Sequence, residues 1–175
     1  MTAAEGNLTW EPATEHPALL APPVAGALGQ TPSAKVAPID PTLADTAAFC
    51  DEYASPPEHS ANCVVVAGKR AGAVRYAAVV VLASTRADIN GVVRRHLDVR
   101  KISFAAQDDA VALTGMEFGG ITPIGLPEDW PVLIDQAVVE AGQVVIGSGI
   151  RASKIVVEAT ELASLPTAEV LGLAQ

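Results

Sequence analysis

The chain has 175 residues, half of them apolar, with a net charge of −9 and a mean hydropathy of +0.33. That length suits one domain with a real core, and that apolar content excludes a largely disordered chain. No apolar run approaches the roughly 20 residues that span a bilayer, and the acidic balance excludes a strong nonspecific duplex binder. Neither a membrane nor duplex DNA is therefore an expected partner.

Residues 1–16 are polar, carry Gly6 and Pro12, and read as a loose arm. Glu5 and Glu11 stand where a signal peptide needs basic and apolar residues, so a cytoplasmic location is expected. Leu19, Leu20, Val24, Ala27 and Leu28 recur at helical spacing, interrupted by Pro22-Pro23. A helix starting at those prolines and ending at Gly29 follows. Residues 36–39 suit a short strand that Pro38 pushes to an edge. Asp40-Pro41-Thr42 opens a helix to about Tyr53, with Leu43, Ala47 and Cys50 on one face.

From Ala61 the pattern turns to β. Residues 62–67 form a near-continuous apolar run suited to a central strand. Residues 68–72 make a turn of about five residues, and 74–82 a second apolar strand, giving a hairpin. Thr85 with Asp88 is a capping signal for a helix whose stripe is Ile89, Val92, Val93 and Leu97. A short strand at 102–104 and a helix at 108–113 follow, the latter ending at a left-handed Gly115. Further strands are predicted at 132–134, 144–146 and 154–157, then a capped helix from Thr160 to Leu165 and a last helical turn in the tail. The expected fold class is α/β in the mixed α+β sense: one mixed sheet of about six strands with surrounding helices. Residues 1–60 serve as an arm and helices packing on the core, and residues 61–175 as the main unit.

The chemistry concentrates in residues 113–135. Gly115, Gly119, Gly120 and Gly125 lie close together between Pro123, Pro127, Pro131 and apolar anchors, as in an ordered loop built around a binding site. The alternative is a tight structural crossover. Cys50 and Cys63 form no CxxC, and His16, His59 and His96 have no metal-ligand spacing, so no metal and no cofactor are expected. A Cys63–His59 catalytic pair is a minority alternative to buried, reduced thiols. The acidity is uneven. Residues 1–60 hold eight acids and one base, Lys35, whereas residues 61–175 hold twelve acids and ten bases, including Lys69-Arg70, Arg94-Arg95 and Arg100-Lys101. A local grip on an RNA end is compatible with that distribution.

The pattern Thr114-Gly115-x-x-x-Gly119-Gly120-Ile121-Thr122-Pro123-x-Gly125 resembles the signature loop of the YbaK/EbsC family, the aminoacyl-tRNA editing domains related to the insertion domain of bacterial prolyl-tRNA synthetases. Residues 145–155, with Gly147-Ser148-Gly149 at their centre, resemble the family's strand, glycine turn and strand. The likeness covers roughly residues 60–165. It implies a YbaK-like, partly closed mixed sheet, and hydrolysis of the ester joining an amino acid to the terminal ribose of tRNA. The acceptor end of an aminoacyl-tRNA is then the expected partner, and the oligomeric state is left open.

Such a reaction needs a water or substrate hydroxyl poised at the carbonyl and donors at the developing oxyanion. Glycine-turn amides are the candidates, at Gly147, Ser148 and Gly149 and at Gly119 and Gly120; a plain hairpin turn is the alternative for the first three. The family's early strand begins with a lysine thought to hold a phosphate. Here the matching position is Asn62, which donates a hydrogen bond but supplies no charge. Lys69 and Arg70 lie toward the far end of that strand, whereas Lys154 is nearer the glycine turn. Thr114, Gly115, Thr122 and Asp135 complete the candidate substrate-binding set, with helix capping the alternative for Asp135 and loop bonding for the threonines. Glu117 is expected to be solvated, and Trp130 to anchor packing. Two functions follow: a trans-editing deacylase, or a non-catalytic module on the same fold, which Asn62 in place of lysine favours.

Overall fold

The computed structural model describes residues 2–175. Among these, nine strands form two sheets. The strands are β1 (Glu11–Pro12), β2 (Lys35–Pro38), β3 (Ala61–Arg70), β4 (Ala73–Leu82), β5 (Lys101–Phe104), β6 (Val132–Asp135), β7 (Gln143–Gly147), β8 (Ser153–Glu158) and β9 (Ala168–Leu171). One sheet has the order β1-β2-β8-β7 and the other β5-β3-β4-β6-β9. The mixed α+β class is as the sequence suggests, but the strands divide between two sheets. A parallel bridge from Ser60 to Val145 ties the sheets together.

The division follows from burial. Residues 77–82 of β4 are all buried; Ala78, Val80 and Leu82 face one apolar cluster, and Ala77, Val79 and Val81 another. A strand with two apolar faces needs a covering layer on each side. Ile155 and Val157 of β8 enter the same cluster as Ala78 and Val80, so this shared core lies between the sheets. Val156 points the other way, against Phe49 of the helix α2 (Thr46–Tyr53).

Local departures have local causes. The β3–β4 hairpin closes on two residues, not five: Ala71 and Gly72 both have positive φ, at 50° and 82°, the geometry that matches strand twist in tight hairpins. The helix expected after Asp40 is split. Asp40 caps a short 3-10 turn by accepting from the Thr42 amide, and α2 starts afresh at Thr46. The segment before it is also broken into short turns around α1 (Pro22–Ala25). Asp88, rather than Thr85, caps the next helix, accepting from the amides of Gly91 and Val92. The tail is a strand, not a helical turn. β9 pairs in parallel with β6, and Leu173 beyond it is fully buried. Pro38 lies where β2 has outrun the two-residue β1, which satisfies its lack of a donor.

Candidate active site

Pairing leaves a notch in the larger sheet. β5 covers β3 only from Val66 to Lys69, so the first half of β3 has no β5 partner on that side. A cavity of about 560 Å³ occupies the gap. Five consecutive β3 residues, Ala61 to Val65, line it, as do Val145, Ile146 and Gly147 of β7. Consecutive lining residues mean that the cavity runs along strand edges rather than over one face. Asp45, Thr46 and Phe49 form one wall, Phe104, Ala105 and Gln107 another, and Phe118, Gly119 and Ile121 of the glycine loop a third.

An open strand edge presents backbone polar groups. The Val65 carbonyl accepts from the Ala105 amide at 2.9 Å, so its peptide groups point away from β4. Two residues earlier Cys63 has the same orientation by strand alternation, and β5 has already ended there. Its backbone N–H and C=O are thereby aimed into the notch.

Of the predicted site residues, Asn62, Gly119, Gly147 and Lys154 meet at this cavity. Asn62 Oδ1 accepts from the Thr46 hydroxyl at 2.6 Å, which leaves the amide nitrogen as a donor. Lys154 crosses from β8, in register with Gly147, and its Nζ lies 5.4 Å from the centre of the Phe49 ring. The residue is 8% exposed and has no ion-pair partner among the described residues. Burial, reinforced by the nearby Arg151 charge, pulls its amine down to about 8.

The remaining candidates lie outside the cavity lining. Ser148 is buried; its hydroxyl donates toward the carbonyls of Ile150 and Ser153 and accepts from Ser153 Oγ at 2.7 Å. The Gly149 amide donates to the Gly120 carbonyl at 2.7 Å, and the Gly120 amide to that of Glu117 at 2.9 Å. These two glycine amides are therefore already spent. Thr114 bonds the Ala110 carbonyl and takes the Met116 amide, below a Gly115 C-cap at φ 68°. Thr122 is fully buried outside the cavity lining, and its hydroxyl lacks a partner among the described residues. Asp135 occupies the N-cap position of α5 (Gln136–Glu140) without capping it. Its carboxylate accepts from the amides of Leu173 and Ala174, pinning the C-terminal segment.

The glycines explain why the two motifs need each other. A Cβ on Gly147 would lie 2.4 Å from the Gly120 carbonyl oxygen, and one on Gly120 within 2.9 Å of the Ile150 backbone. Gly119, at φ 90°, has its back against the Arg151 guanidinium. Sequence reading missed this arginine, although it stands inside the second motif. Its side chain donates to the carbonyls of Phe118 at 3.3 Å and Pro41 at 3.2 Å, and its amide to Glu117 Oε1 at 2.7 Å. It braces the glycine loop against the segment leading into α2. Glu117 is thus exposed but engaged.

Cys63 and His59 do not pair. His59 Nδ1 contacts the Gln143 carbonyl at 3.1 Å, and burial pushes the Cys63 thiol up to about 12, far from the thiolate a nucleophile needs. Trp130 is buried and stacks on Tyr76 with centroids 5.5 Å apart. Among the described residues no group of three or more His, Cys, Asp or Glu side chains is placed to hold a metal. No helix among them is long and apolar enough to cross a membrane.

The two sheets thus part around a pocket, and two interlocked glycine motifs stand at its side. The family model of the aminoacyl-tRNA editing domain matches residues 40–165, and the chain belongs to that family. Solved structures agree in fold. A crystal structure described as that of a "putative trans-editing enzyme for prolyl tRNA synthetase" superposes with a TM-score of 0.75 at 20% identity, covering 89% of this chain and 96% of the other. A scaffold from work on epitope backbone grafting gives 0.76 at 22% identity, with 89% and 97% covered. A protein described as hypothetical gives 0.68 at 20%, with 79% and 86% covered. No curated protein matches the chain.

Proposed function

We propose that this protein is an aminoacyl-tRNA deacylase that removes a wrongly attached amino acid by hydrolysing its ester in the β3–β7 cavity. Family membership supports editing as the general role. The observation that carries the finer reading is Lys154: a buried cation in no ion pair among the described residues, facing the same cavity as Asn62. Burying a charge without a partner is costly, and functional sites are where such charges are kept. Lys154 would supply the charge that Asn62 lacks, holding the phosphate beside the terminal ribose.

Hydrolysis then needs little from side chains. Water, oriented by the vicinal ribose hydroxyl, adds to the ester carbonyl. The bond to the ribose oxygen breaks, and that oxygen takes the proton, releasing a free amino acid and a tRNA with its hydroxyl restored. The Cys63 amide and the Asn62 Nδ2–H would serve as donors to the developing oxyanion. The apolar walls at Phe49, Val145 and Ile121 would set which side chain enters, and apolar differences discriminate only about 10- to 200-fold.

A binding module without hydrolysis is the second reading, favoured by the neutral residue at position 62. Release of amino acid from a panel of mischarged tRNAs, beginning with alanyl- and cysteinyl-tRNA for proline, separates the two. Release from one or two members supports the deacylase. Silence from the whole panel with folded protein supports the module.

A further inference from the structure

We propose that the edge strand β5 is the track by which the single-stranded 3′ end of a tRNA reaches the cavity. Lys69, Arg100 and Lys101 hold its phosphates, and Phe104 and Phe118 stack its last bases. This rests on reading the cavity as an aminoacyl-tRNA site.

The first observation is a like-charge pair. Lys69 on β3 and Lys101 on β5 are register partners in an antiparallel ladder, and both are exposed. Side chains so placed have Cβ atoms roughly 4.5–5.5 Å apart, and like charges there are destabilising. Arg100 is the next residue, also exposed. None of the three belongs to an ion pair among the described residues, although neighbouring Arg70 is paired with Asp98. In a chain of net charge −9, an uncompensated cluster of this kind is no by-product of basic composition.

The second observation is where β5 leads. It is the outermost strand of its sheet and ends at Phe104 on the cavity rim. Phe104 is 64% exposed, and Phe118, on the loop across the rim, 52%. Neither ring belongs to an aromatic pair among the described residues. The Arg151 bond to the Phe118 carbonyl holds that loop in place. From Lys101 to Phe104 is about 10 Å along the strand, a stretch that a few nucleotides of single strand can follow. Asp108 and Asp109, in the first turn of the helix α4 (Gln107–Thr114), face the favourable end of its dipole beyond this track. Pleating sends Lys69 and Lys101 to one face of the sheet and Phe104 to the other, with the free edge of β5 between them. A ligand with both phosphates and unstacked bases, as a single strand has, suits cations and an unpartnered ring joined across such an edge.

Binding of uncharged tRNA with an intact CCA end, measured by anisotropy across a salt series, tests this without requiring hydrolysis. About three phosphate contacts on single strand give a slope of log affinity against log salt near −2. Lys69→Glu turns the repulsive pair into an attractive one, so the melting temperature holds or rises while tRNA affinity falls about tenfold and the slope flattens. Lys35→Glu, at an exposed position of β2 in the other sheet, leaves affinity within about twofold. Phe104→Ala weakens binding about fivefold or more for tRNA with its CCA end, and leaves tRNA trimmed of CCA unaffected. The proposal is overturned if Lys69→Glu binds as well as the wild type, if Lys35→Glu weakens binding equally, or if duplex DNA competes as well as tRNA. A protein that binds tRNA in this way but releases no amino acid would lose the deacylase reading and keep the track. Deacylation with an unchanged KM in Lys69→Glu would do the reverse.

Discussion

Asn62 and Lys154 face one cavity from two different sheets, Asn62 from the open edge of β3 and Lys154 from β8, in register with Gly147. Position 62 on β3 is a neutral amide. A cation enters the same space from β8.

The Lys154 amine has a stability consequence that separates it from a packing residue. Its folded-state value is lowered to about 8 from an ordinary 10.5. Between those values the unfolded chain still holds a proton that the folded chain has released, so stability rises with pH across that window. Below about pH 8 the full burden is present. Lys154→Met removes it, and is expected to gain up to about 3 kcal/mol at pH 7 while flattening the stability curve between pH 8 and 10.5. Denaturant unfolding across that range, wild type against variant, checks it. A variant less stable than the wild type at pH 7 would show that the cation is compensated in the folded state.

Restoring the missing lysine should fail alone and succeed in combination. Asn62→Lys breaks the Thr46 hydrogen bond and places a second cation in the cavity that already holds Lys154. A loss of about 1–3 kcal/mol is expected. Asn62→Lys with Lys154→Met moves the charge instead of doubling it, and should recover most of that loss. Thermal unfolding of the two variants measures the non-additivity.

The glycine motifs predict a contrast among glycines. Gly147→Ala forces a Cβ to 2.4 Å from the Gly120 carbonyl and should destabilise by about 2 kcal/mol or more. Gly29 and Gly172 have nothing within 4 Å of such a Cβ and no positive φ, so alanine there should be within about 0.5 kcal/mol of neutral.

Ser148 is expected to matter for folding and not for chemistry. Its hydroxyl is buried among the carbonyls of Ile150 and Ser153 and the Ser153 hydroxyl. Ser148→Ala should lower stability by about 1–3 kcal/mol, with the turnover of folded protein retained. A nucleophile would instead lose its activity with the fold unchanged.

The glycine loop, the C-cap at Gly115 and the strands that follow were legible because their cause is local: positive φ, proline geometry and continuous apolar runs. The division into two sheets was not, since β2 and β9 take their partners from β8 and β6, well over a hundred residues away for β2. The site was legible in the same measure. Asn62, Gly147 and Lys154 lie in the recognisable motifs or beside them, whereas Asp45, Thr46 and Phe49 reach the cavity only because α2 packs across β8. Asp135 reads as a helix cap in one dimension, but its true partners, the amides of Leu173 and Ala174, appear only when β9 closes beside β6.

Single-turnover deacylation of the mischarged panel by wild-type protein and Lys154→Met tests the central claim most directly. The account predicts that the wild type releases the amino acid from one or two members, and that Lys154→Met, folded and more stable, loses about 100-fold in rate, the scale of a substrate held out of position at the reacting carbonyl. Equal rates from the two proteins would contradict it.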